Sequence, residues 1–86
     1  MDAPKLKENE CSVLIAEYST GHVYKKDLTI FLDGEDENEI FQIFENFDKA
    51  KKFVLNFVDT NSEFECVIYD YAGEHLFTCD KNGERR

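Results

Sequence analysis

The sequence predicts an α+β fold: a single small domain with a mostly antiparallel five-stranded sheet, in β-β-β-α-β-β order, and one helix packed on one face. Three observations lead there. Short runs of β-branched and aromatic residues recur between turn residues. One segment carries a clean helical stripe. The strands are joined mainly by hairpin-length turns, which makes the sheet antiparallel. The chain has 86 residues, with 42% hydrophobic and 14% aromatic content. It is too apolar for a disordered chain, and its large rings let a short chain form a core.

Each element has a local reason. Residues 1–10, with Pro4 and alternating charges, read as a flexible leader, and the domain proper spans 11–79. Residues 11–18 (CSVLIAEY) have strand composition. Residues 19–22 (STGH) read as a turn. Residues 27–32 (DLTIFL) alternate, with Leu28, Ile30 and Leu32 on one face, and form the second expected strand, which could start back at Val23.

Residues 39–44 (EIFQIF) fit either helix or strand. A helix running from 39 to 58 would spread its apolar positions around most of its circumference. A helix starting at Asp48 places Ala50, Phe53, Val54, Phe57 and Val58 in one sector of about 140°. Residues 39–44 are therefore the third strand, Asp48 the expected N-cap, and the helix runs to about residue 60. Residues 64–69 (FECVIY) and 74–79 (EHLFTC) are the last two strands. Asp70 and Gly73 between them suit a type I turn with a glycine bulge. Residues 80–86 are expected as a polar tail.

That bulged turn would set Cys66 opposite Thr78, whereas a two-residue turn would set it opposite Cys79. The bulged register predicts no disulfide. Three cysteines without tight spacing fit reduced thiols. None sits in a CxxC or beside a local base, so nucleophilic catalysis has no support.

Charge is the most distinctive property. The net charge is −9, and residues 10–45 hold nine acids against two bases. Asp33, Glu35, Asp36, Glu37 and Glu39 crowd into the seven residues from 33 to 39, at the expected tip of a hairpin. Such a field repels nucleic acid and anionic membranes and attracts basic partners. An acidic surface also serves solubility alone. The run fails as an EF-hand: counted from Asp33, the sixth position is Asn38 rather than Gly, and the twelfth is Phe44 rather than Glu. His75 and Cys79 lie about 13 Å apart along one strand, and two ligands of one zinc need about 4 Å. No metal or cofactor is expected, and both histidines read as solvent-facing. Lys49, Lys51 and Lys52 sit in the helix's first turn, answered by Glu45 and Asp48. The four glycines are isolated, so there is no phosphate loop, and one sheet with one helix leaves little room for a deep pocket.

The strands carry more apolar surface than one helix can cover. The first opposes Val13 and Ile15 to Leu14 and Ala16; the fourth opposes Cys66 and Ile68 to Val67, Tyr69 and Tyr71. A partly uncovered apolar face rimmed by charge describes an interaction surface. The expected function is that of a non-enzymatic, acidic protein-binding module. It would neutralise or dock a basic protein, as an immunity or antitoxin protein does a toxin, a nuclease being one such toxin. Its contact residues would be Asp33, Glu35, Asp36, Glu37, Glu39, Tyr69 and Tyr71. The alternative is a self-associating structural or adaptor domain that forms a homodimer. The N-terminus lacks the apolar stretch of a signal peptide, and no run approaches a membrane span, so the expected location is cytoplasmic.

Overall fold

The computed structural model describes residues 6–32, 34, 40–81 and 83–85. Along them run β1 (Cys11–Glu17), β2 (Val23–Tyr24), β3 (Phe41–Phe44), α1 (Phe47–Thr60), β4 (Phe64–Tyr69), β5 (His75–Asp80) and β6 (Gly83–Arg85). The class is α+β, with an antiparallel sheet and one helix.

β1 is the hub. One of its edges pairs with β4, from Ser12↔Tyr69 to Glu17↔Phe64. Its other edge is shared by two short strands. β3 takes positions Cys11 to Leu14, and β2 takes Ile15 and Ala16. β4 continues to β5 and β5 to β6, all antiparallel.

The helix begins earlier than the periodicity predicts. Asn46, not Asp48, is the N-cap, and its side-chain oxygen accepts from the Lys49 N–H at 3.0 Å. This puts Phe47 at the first helical position, where its ring meets Phe77 edge-on at 6.1 Å. At the other end the Asn61 N–H donates to the Phe57 carbonyl at 2.8 Å. Ala50, Val54 and Val58 are buried against the sheet, with Phe53 and Phe57 packed beside them. Their partners are Cys11, Val13 and Ile15 of β1, Phe64, Cys66 and Ile68 of β4, and Phe77 and Cys79 of β5.

The β4–β5 turn forms as expected, but the ladder beyond it does not keep the expected register. Gly73 has φ +83°, and the Asp70 carboxylate accepts from the Ala72 and Glu74 N–H groups, both at 2.9 Å. Tyr69 then faces His75, yet Ile68 faces Phe77, so Leu76 is an extra residue in β5. The shift sets Cys66 opposite Cys79, not Thr78. The physical reason is burial. Without Leu76 bulging out, Phe77 and Cys79 would face away from the helix and Thr78 towards it, because a one-residue slip exchanges the two faces. As folded, Phe77 is 3% and Cys79 1% exposed.

Two other expectations are corrected. Residues 27–32 do not form a strand: Val23–Tyr24 pairs with β1, and Ile30 makes only an isolated bridge to Tyr24. The segment expected as a polar tail is partly paired instead, because Asp80 closes β5 as a buried residue and Gly83–Arg85 forms the edge strand β6.

The core sets two measurable expectations. Ile68 is fully buried between helix and sheet, so Ile68→Ala should cost roughly 2–5 kcal/mol, a large share of the stability of a domain this size. Urea denaturation measures it. Burial pushes the Cys66 thiol from its ordinary 9.0 up to about 12, with Cys79 and Glu65 adding to the rise. The folded chain therefore holds a proton that the unfolded chain loses above about pH 9, and stability falls as pH rises through that window. The urea midpoint of Cys66→Ala should decline less steeply from about pH 9 upward than that of the parent.

Candidate functional site

Asp33, Glu35, Asp36, Glu37 and Glu39 of the expected contact set lie outside the described residues. On one side of them, residues 23–31 fold back on themselves. Phe31 N–H donates to Val23 O at 2.9 Å, Lys25 N–H to Thr29 O at 2.8 Å, and Leu28 N–H to Lys25 O at 2.8 Å. Asp27 holds this turn: its carboxylate accepts from the Thr29 hydroxyl at 2.6 Å and the Thr29 N–H at 3.0 Å. Those bonds hold the Asp27 carboxyl below its ordinary range. Leu28 at the turn has φ +66°, a conformation costly for a residue with a branched side chain.

The turn replaces the expected strand, and the change has a surface consequence. A strand would have placed Leu28, Ile30 and Leu32 along one buried face. Instead they are 43%, 44% and 62% exposed. Three aliphatic side chains therefore stand in water directly before the acidic run. Periodicity could not have found them, because the alternation of residues 27–32 looks the same whether or not a neighbour accepts the strand.

On the other side of the run, the chain re-enters at Ile40, which is 1% exposed, and Phe41, which is 5%. Phe41 pairs with Leu14, and its ring meets Tyr69 edge-on at 6.5 Å. Tyr69 meets His75 the same way at 6.5 Å. Directly opposed residues of an antiparallel ladder share a face. The register thus places Ser12, Leu14 and Ala16 with Phe41 and Ile43 and with Val67 and Tyr69, on the side away from α1. This face is more closed than its apolar count predicts: Ser12, Ala16 and Phe41 are buried, Leu14, Val67 and Tyr69 half-buried, and only Ile43 is exposed. The buried Ser12 Oγ makes no hydrogen bond among the described residues.

Tyr71 belongs elsewhere. It stands on the β4–β5 turn, 48% exposed. It lines an open cleft of about 550 Å³ at the start of α1, together with Phe47, Leu76 and the carboxylates of Glu8, Glu10, Glu45, Asp48 and Asp70. Cys11 closes the cleft floor, and burial, aided by Asp70, raises its thiol pKa. The one cation drawn to this rim in the described residues is Lys49, paired with Glu45, whose carboxyl it lowers. Aromatic and aliphatic walls lined with carboxylates suit an arginine or lysine side chain of a partner. Charge counting missed this cleft because its acids come from three separate segments of the chain.

The structure therefore splits the expected contact set. Tyr69 lies beside the point where the acidic run rejoins the sheet. Tyr71 lies at the end of β1 near Cys11, whereas residues 23–32 lie beside Ile15 and Ala16. The two ends are about 15 Å apart along the strand. Among the described residues no group of three or more His, Cys, Asp or Glu side chains could hold a metal ion. His75 Nε2 lies 2.6 Å from the Thr78 hydroxyl, and His22 is exposed. No helix among the described residues is long and apolar enough to cross a membrane. Comparison with protein-family models, with curated proteins and with solved structures finds no match.

The left-handed turn at Leu28 gives a local test. Leu28→Gly should raise stability by up to about 1 kcal/mol, since glycine adopts this φ without the side-chain clash. Leu28→Val should lower it. A loss in the glycine variant, measured by urea denaturation, would show that the exposed leucine packs on the fold.

Proposed function

We propose that the chain is an acidic binding module that docks onto and neutralises a basic protein, in the manner of an immunity or antitoxin protein. The observation that carries this reading is the exposed aliphatic series Leu28, Ile30 and Leu32, which leads straight into Asp33, Glu35, Asp36, Glu37 and Glu39. Exposed aliphatics supply the desolvated centre of an interface, and clustered carboxylates supply steering and selectivity. The partner is basic because the net charge of −9 repels anionic surfaces and slows encounter with acidic ones. The same charge opposes pairing of two copies, so the module works as a monomer. Tyr69, beside the re-entry of the run, and Tyr71, in the cleft, are the aromatic contacts. The cleft receives a cationic side chain of the same partner.

The test starts with affinity capture from the native host by the parent chain and by the triple reversal Glu35→Lys, Asp36→Lys, Glu37→Lys. A basic protein held by the parent alone is then purified and its association followed by stopped flow. The reversal should slow association at least about tenfold at low salt, and rising salt should shrink the difference. Ile30→Ser with Leu32→Ser should act mainly on dissociation. Tyr71→Ala should weaken binding by about tenfold or more if the cleft is occupied. An unchanged association rate for the reversal rejects the proposal, and so does a stable dimer in light scattering that hides residues 28–32.

A further inference from the structure

The corrected β4–β5 register places two thiols face to face. Cys66 lies directly opposite Cys79, both point to the helix side, and they are 0% and 1% exposed. Neither is joined in a disulfide. The geometry of the pair follows from the neighbouring ladder. Tyr18 N–H donates to Glu63 O straight across β1 and β4 at 2.8 Å, so that position is a hydrogen-bonded pair. Pairs alternate along an antiparallel ladder, which makes Ile15 and Cys66 a non-hydrogen-bonded pair. The backbone groups of Cys66 therefore point to β5. Asp70, on the same edge, does bond across to Glu74 O at 2.8 Å. Cys66 and Cys79 are thus a hydrogen-bonded pair with Cα atoms about 5.5 Å apart, inside the roughly 4.4–6.8 Å Cα range of a disulfide, and their Cβ atoms, about 5.5 Å apart in such a pair, must close by about 1 Å as the bond forms. The third thiol is out of reach: Cys11 lies four residues along β1 from Ile15, about 13 Å away.

We propose that Cys66 and Cys79 are a gated dithiol, a modification site that a small disulfide such as oxidised glutathione converts to a cross-strand disulfide when α1 lifts from the sheet. In the closed state Val54 and Val58 lie over the same core and Cys66 is fully buried, while Cys79, though almost wholly buried, borders an open cleft of about 190 Å³ with Leu55, Val58 and Asp59. Burial also keeps the Cys66 proton in place, which withholds the nucleophilic thiolate. On opening, one cysteine thiolate attacks the glutathione disulfide and releases one glutathione thiolate. The other cysteine then attacks the protein sulfur of the mixed disulfide and releases the second. The protein loses two protons and two electrons, and the reagent becomes two thiols. The crosslink encloses residues 67–78, the hairpin that bears Tyr69 and Tyr71. This inference stands apart from the proposed function.

The experiment incubates the full chain at about pH 8 with rising oxidised glutathione, quenches with acid, and reads intact mass and mapped peptides. The expected product has lost two hydrogens, linked Cys66 to Cys79, and carries no glutathione on either residue. Its rate should level off at high oxidant, where opening becomes limiting, and Val54→Ala should raise that plateau at least about threefold. Cys79→Ser should carry glutathione on Cys66 instead. Three results overturn the proposal: glutathione accumulating on Cys66 or Cys79 of the parent chain, a crosslink to Cys11, or no crosslink in parent and Val54→Ala under conditions that oxidise the urea-unfolded chain.

Discussion

The structure depends on β1 forming hydrogen bonds along both edges. Its seven residues meet β4 on one side and, end to end, β3 and β2 on the other. A strand paired on both sides has no free backbone donors or acceptors to hydrate, so it can be buried. That is why Cys11, Ser12, Val13, Ile15 and Ala16 are all buried. The helix then needs only to cover one face of a layer that is already closed at its centre. Two strands as short as β2 and β3 are viable because they extend an existing ladder instead of founding one.

Sharing one edge between β2 and β3 also shapes the surface. The chain must leave the sheet after Tyr24 and return at Phe41 on the same edge. The excursion folds back on β2, but a strand of two residues offers it only one bridge, from Tyr24 to Ile30, so no long hairpin arm forms. Residues 25–32 therefore curl into a turn pinned by Asp27, and the acidic run follows in sequence. The aliphatic side chains of that segment are therefore left exposed. The far side of the sheet, by contrast, is partly sealed by its own rings, Phe41 against Tyr69 and Tyr69 against His75.

Much of the fold was legible in order and type. The residues of β1 and β4, the inward set of α1 and the Asp70–Gly73 turn depend on contacts within a few positions of each other, where periodicity and turn chemistry act. The errors cluster where a distant partner decides. Residues 27–32 alternate well but meet only the two-residue β2, where Ile30 makes a single bridge to Tyr24. Asn46 and Asp48 are both competent caps, and the choice fell to Asn46 because that places Phe47 against Phe77. The polar look of residues 80–86 hid β6, since an edge strand needs backbone pairing more than apolar side chains. Of the contact set, only the concentration of charge was readable; the cleft around Tyr71 gathers acids from separate segments, and composition does not record their convergence.

By itself the sequence determined the α+β class, the single helical stripe, the antiparallel turns and the acidic field, because each follows from spacing or counting along the chain. Tertiary structure decided the β5 register, with Leu76 bulged so that Phe77 and Cys79 enter the core. It also decided which apolar residues remain in water. Both are settled by competition for one buried face and one hydrogen-bonding edge, and a linear pattern shows what wants to be buried but not which residue gets the place.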